Sequence, residues 1–115
     1  MVVGICRLHL MLPESHSLKE KRMVLRRIKD RVRQKFNVAI AEVGDQDLWQ
    51  SAQLGFAVVS NERGYTEGLV QKVLAFVESL GVAKITDDEQ DYVHYGDERV
   101  GEAPSHWEPP GDDDE

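Results

Sequence analysis

From Gly4 to Leu12 the chain alternates: Cys6, Leu8, Leu10 and Leu12 fall on one side, Ile5, Arg7, His9 and Met11 on the other. A period of two predicts a strand over residues 2–12 with one fully apolar face and one mixed face, ended by Pro13. The period then changes. Leu18, Val24, Leu25, Ile28, Val32 and Phe36 fall within an arc of about 120° at helical pitch, the width of a core-facing stripe. Ser17-Leu18-Lys19-Glu20 precedes that stripe as a capping box, with the Ser17 hydroxyl accepting from the Glu20 amide and the Glu20 carboxylate reaching back to the Ser17 amide. A helix is predicted from about residue 17 to 35. Phe36 to Val43 is rich in β-branched and small residues and predicts a second strand. After the polar turn Gly44–Asp47, Trp49 to Ser60 predicts a third, with Ala52, Leu54, Phe56 and Val58 on one side. The short connection makes these two an antiparallel hairpin.

A second helix follows, capped by Asn61 or Thr66, its start blurred by Gly64 and Gly68. Leu69, Val73, Phe76, Val77 and Leu80 supply its stripe, and Gly81 ends it in a left-handed conformation. A fourth strand runs from Val82 through Ile85 and resumes at Tyr92-Val93-His94. The order β-α-β-β-α-β with two amphipathic helices predicts a ferredoxin-like α+β sandwich, a four-stranded antiparallel sheet with both helices on one face. The other sheet face is left open to water, a ligand or a second subunit.

Composition narrows the class. A chain of 115 residues accommodates one domain and one core. Its single cysteine, Cys6, excludes an intramolecular disulfide framework and a multi-cysteine zinc site. No run approaches the roughly 20 apolar residues of a membrane span, and the N-terminus lacks the basic stretch and apolar run of an export signal. The net charge of −7 hides a strong segregation. Residues 1–35 carry ten bases and three acids, whereas 86–115 carry twelve acids and only Arg99 as a base. The chain is net +4 up to Ile85 and −11 beyond it. Residues 96–115 hold Pro104, Pro109, Pro110, few aliphatics and a closing Asp-Asp-Asp-Glu. That composition buries too little apolar surface to offset ordering entropy, so a disordered acidic tail is expected after a domain of residues 1–95.

The first helix carries a second pattern. Lys19, Arg22, Arg26, Lys29 and Arg33 follow spacings of three and four, so they line one flank beside the apolar stripe, over about 21 Å at helical rise. Like charges at these spacings repel by a few tenths of a kcal/mol per pair. One reading is a track for nucleic-acid phosphates; the other is a solvated face whose stems cover the core edges. Gly55-Phe56-Ala57-Val58-Val59 is superficially similar to the main strand of an RNA-recognition motif. Leu54, Val58 and Asn61 stand where that motif needs a base and two aromatics, so Phe56 is expected in the core or at a dimer contact. Cys6 reads as a buried, inert thiol. His9, His16, His94 and His106 show no metal-ligand spacing, and Glu42, Asp45 and Asp47 lack a calcium loop. No phosphate-binding glycine loop or serine-nucleophile motif is present. The sequence predicts no catalytic residue, metal, cofactor or small-molecule substrate, and hence a protein that is not an enzyme.

Ser15-His16-Ser17-Leu18-Lys19-Glu20-Lys21-Arg22, Lys35-Phe36-Asn37-Val38, Ala41-Glu42-Val43, Gln46-Asp47-Leu48-Trp49 and Leu54-Gly55 resemble the YlxP-like family, a bacterial domain of unknown function. The similarity extends in order from about Val2 to residue 94. It implies the same ferredoxin-like fold, homodimerisation, a cytoplasmic location, and a gene that often lies among those for transcription-termination, translation-initiation and ribosome-maturation factors. It supplies no activity and no catalytic residues; the long acidic tail departs from the shorter family members. Two functions are carried forward: a factor bound to RNA or the ribosome through Lys19, Arg22, Arg26, Lys29 and Arg33, and a homodimeric interaction or small-ligand module using the open sheet face, where Ile5 and Met11 lie beside Arg7 and His9. The twelve C-terminal acids could also fold back on the basic helix and compete with nucleic acid.

Overall fold

The computed structural model describes residues 1–96. Four strands and two helices follow in the expected order: β1 (Val2–Met11), α1 (Leu18–Lys35), β2 (Ala39–Gly44), β3 (Ser51–Ser60), α2 (Arg63–Ser79) and β4 (Lys84–His94). They form one antiparallel sheet in the order β2-β3-β1-β4, with the helices on one face: the ferredoxin-like α+β fold. The alternation in β1 and β3 decides which face the helices cover. Cys6, Leu8, Leu10 and Leu12 are buried together with Ala52, Leu54, Phe56 and Val58, against Leu25, Ile28 and Val32 of α1 and Val70, Val73 and Val77 of α2. The two helices also meet each other, where Phe36 packs edge-on against Phe76 at 5.6 Å and the Lys35 ammonium sits 4.9 Å from the Phe76 ring centre.

Several boundaries differ from expectation, each for a local reason. The Ser17 hydroxyl accepts from the Glu20 amide (3.1 Å), but the Glu20 carboxylate takes the amide of His16 (2.6 Å) rather than that of Ser17. Phe36 belongs to the end of α1, not to β2: its N–H donates to the Val32 carbonyl (2.8 Å), so the strand begins three residues later. Neither Asn61 nor Thr66 caps α2. The cap is Glu62 and makes no side-chain bond to the helix, while the Ser60 hydroxyl accepts from the Glu62 amide (3.1 Å). Thr66 is instead buried in the first turn, and the α2 stripe is centred on Thr66, Val70, Val73 and Val77, with Leu69, Phe76 and Leu80 partly buried at its margins. Gly81 does take a left-handed conformation, φ 71°.

The largest departure is β4. It is one continuous strand of 11 residues, including the Asp87-Asp88-Glu89-Gln90-Asp91 stretch that interrupts the apolar pattern. β1 pairs it from Val2↔His94 to Met11↔Lys84, with an irregularity between His9 and Leu10, where the Thr86 hydroxyl donates to the His9 carbonyl (3.2 Å). Ladder hydrogen bonds to a well-formed neighbour outweigh the weak strand propensity of acids. Four of the twelve acids counted with the C-terminus are therefore part of the folded sheet. They line an edge strand, where charge opposes pairing with another chain. The tail expected over residues 96–115 lies, apart from Gly96, outside the described residues.

Candidate nucleic-acid interface

α1 places its five row bases on the flank facing the β2 edge. They are not equivalent. Lys19, Arg22 and Arg26 are exposed and make no ion pair or hydrogen bond among the described residues, whereas Lys29 is half-buried. Arg33 is committed to the fold: its guanidinium donates to the Ile40 carbonyl of β2 (2.8 Å) and lies 3.6 Å from the Asp30 carboxylate. The flank thus presents three unengaged cations over its N-terminal half, and a fifth that braces an edge strand.

Lys21, one turn-mate of this row, does something else. It is 1% exposed, and its ammonium donates to the carbonyls of Asp45 (2.5 Å) and Leu48 (2.6 Å). The Glu42 carboxylate stands 3.2 Å away. That Glu42 oxygen is itself buried and without a well-directed hydrogen bond, so the contact is an electrostatic one. Two hydrogen bonds and a carboxylate at ion-pair distance surround the ammonium, which is what burying a lysine charge requires. The bonds fix the β2–β3 loop against the start of α1. Asp45 bends that loop with φ 59°, a conformation Asp tolerates better than most residues, and its carbonyl also accepts from the Leu48 amide (3.1 Å). Beyond the turn, the Gln50 side chain donates to the carbonyls of Pro13 (3.3 Å) and Ser15 (3.2 Å), and its own carbonyl accepts from the Leu12 amide (2.9 Å). Between these anchors Leu48 and Trp49 are about half exposed.

Sequence reasoning placed Lys21 only among the ten bases of residues 1–35 and gave it no role of its own. The signal was available: Lys21 falls inside the arc spanned by Val24, Ile28, Val32 and Leu18, where a charged residue has to find buried partners. The same clamp accounts for Glu42, which the turn cluster with Asp45 and Asp47 had grouped by sequence alone.

The open sheet face has a different character. Ala39, Ala41, Gly55 and Ala57 form a low plateau across β2 and β3, bordered by exposed Ile5, Val43 and Val59. Arg7 and His9 do not stand free on it. Glu89 of β4 lies 2.9 Å from the Arg7 guanidinium and 3.4 Å from the His9 ring. Cys6, under this face, is fully buried, and burial, helped by the Asp88 charge, pushes its thiol pKa up to about 12. It is no nucleophile in this setting.

With this geometry in view, residues 3–90 match the family model described as "Protein of unknown function (DUF503)". The chain belongs to the DUF503 family. It is also 47% identical over 79 residues to the "Uncharacterized protein YlxP" of Bacillus subtilis (strain 168), an overlap covering 69% of this chain and 86% of that one. Neither description carries the name of an enzyme. Among the described residues of this DUF503 protein, no helix is long and apolar enough to cross a membrane. The clamp unites the segments on which the family resemblance was built: Lys21 from the first, Glu42 from the third, and Leu48 from the fourth.

Proposed function

We propose that this DUF503 protein is a non-enzymatic cytoplasmic factor that binds RNA, free or in the ribosome, along the basic flank of α1. The observation that carries the reading is that Lys19, Arg22 and Arg26 share one helix flank with their charges unengaged. Lys29 and Arg33 extend the track, Arg33 with only part of its guanidinium free. Three phosphate contacts give a slope of log K against log salt of about −2 on a single strand, whereas five give about −3.5. The test is binding to ribosomal RNA across a salt series by the wild-type chain and by a variant with Lys19→Glu, Arg22→Glu and Arg26→Glu. The wild type should show the salt slope and the variant should lose it. Equal, weak binding by both would end the proposal.

The exposed apolar plateau around Ile5, Val43 and Val59 favours a second property, homodimerisation through the sheet face. The two readings coexist, because the sheet face and the α1 flank lie on different sides of the fold, and a two-fold dimer would carry two basic rows. Light scattering at tens of micromolar separates them: a monomer there removes the dimer and leaves the RNA reading intact.

A further inference from the structure

Trp49 is an exposed aromatic side chain to which the fold of the described residues gives no role. It is 48% exposed, and among the described residues it makes no aromatic, cation–π or side-chain hydrogen-bond contact. Yet it is not on a loose loop. Leu48 before it is held through its carbonyl by Lys21 and through its amide by Asp45. Gln50 after it is tied to Leu12, Pro13 and Ser15. The loop is thus fixed to the start of α1 through Lys21, and Lys21 is the sequence neighbour of Arg22 and two residues from Lys19. An indole whose neighbours are anchored loses little entropy when something stacks on it, and the helix that anchors its loop carries Lys19, Arg22 and Arg26 to attract phosphate.

We infer that Trp49 is a base-stacking platform at the N-terminal end of the α1 basic row, so that the RNA this surface takes is single-stranded. The inference rests on the RNA reading above and adds the strand type. A duplex keeps its bases stacked on each other and offers the basic row only phosphates. A single strand offers an unstacked base to the indole and its backbone to Lys19, Arg22 and Arg26. Such stacking is tolerant of sequence, because every base has a π face. The unengaged Lys19, Arg22 and Arg26 on the helix to which the loop is tied favour a nucleic acid over an apolar protein partner, which would be better served by the sheet plateau.

The experiment uses the full chain carrying Trp107→Phe, which leaves Trp49 as its one tryptophan. A short RNA is titrated as a single strand and as the duplex of the same sequence. Trp49 fluorescence should be quenched by the single strand and much less by the duplex. Adding Trp49→Ser should weaken single-strand affinity by roughly 5- to 150-fold, with an unchanged salt slope and an unchanged thermal melt, while Trp49→Phe should retain part of the affinity. Single-strand binding that keeps its salt slope but changes less than about twofold on Trp49→Ser, without quenching, overturns the platform and leaves the RNA track standing. Absence of binding to either RNA overturns both. A concentration-dependent shift of Trp49 emission without RNA assigns the residue to a contact between copies and overturns the platform as well.

Discussion

Lys21→Met is the most incisive test of the clamp. Methionine keeps most of the buried stem but removes the charge and all three donors. It leaves the Asp45 and Leu48 carbonyls without their ammonium partner, and it strands the Glu42 carboxylate, whose side chain is 21% exposed. Removing one member of a buried ion pair costs about 3–5 kcal/mol. Because Glu42 is partly open to water, the lower end applies, about 3 kcal/mol. A domain of this size has a total stability of roughly 5–15 kcal/mol, so the loss is a large share. It corresponds to a fall in Tm of roughly 12–24 °C, at 4–8 °C per kcal/mol. Urea unfolding followed by circular dichroism gives the free energy, and a thermal melt gives the Tm. Adding Glu42→Leu to Lys21→Met should recover part of the loss, since replacing both partners by apolar groups removes the uncompensated charge. High salt should change the wild-type value little, because buried pairs are weakly screened. A loss below about 1 kcal/mol, or a double variant no better than the single one, would show that Lys21 behaves as a surface base and would refute the clamp.

Two further outcomes follow from single contacts. A Cβ built on Gly4 would lie 2.5 Å from Thr66 Cγ2 and 3.1 Å from the Tyr92 ring, so Gly4→Ala should destabilise the fold by about 1–3 kcal/mol through overpacking; adding Thr66→Ser, which deletes the clashing methyl, should restore most of it in a urea titration, and no recovery would place the strain elsewhere. The Cys6 thiol ionises near 9 in the unfolded chain and near 12 in the folded one, so its contribution is fully present below pH 9 and is lost as pH rises towards 12, the unfolded state giving up its proton first. At about pH 8 the native thiolate is roughly a thousandfold scarcer than the unfolded one, and labelling by a thiol reagent should track unfolding; rapid stoichiometric labelling of the native protein would contradict that.

The legible parts of the fold are those where one local pattern and the tertiary environment agree. β1 and β3 alternate and are buried on one face, and α1 combines a cap, a stripe and a polar face. β4 was only half legible, because an edge strand beside a strong neighbour needs no apolar alternation of its own. The stripe of α2 was only partly legible: Val73 and Val77 are at its centre as expected, but Thr66 was weighed as a cap, Val70 was not included, and Gly64 and Gly68 obscured the first turn. At the candidate interface, helical period was enough to group Lys19, Arg22, Arg26, Lys29 and Arg33 on one flank. Which of them keep a free charge depends on contacts outside the helix that its period does not show, such as the Ile40 carbonyl beside Arg33. Trp49, assigned to the start of a strand, proved to precede it in the loop that Lys21 holds.

The charge balance changes meaning once β4 is part of the domain. Residues 1–96 carry thirteen bases and thirteen acids, so the folded unit is neutral rather than cationic. It is dipolar, however, because α1 holds Lys19, Arg22 and Arg26 on its β2-side flank while Asp87, Asp88, Glu89 and Asp91 lie on the opposite edge strand. A polyanion is steered by such a field towards one edge and away from the other. Orientation is thereby selected before any contact forms. Ser17 and Glu20 are spent on capping, Lys21, Glu42 and Leu48 on the clamp, Gln50 on the loop anchor, and Arg7 and His9 face Glu89. Lys19, Arg22 and Arg26 are among the cations left over by that accounting, and under the proposed function they mark the edge towards which the field steers an RNA.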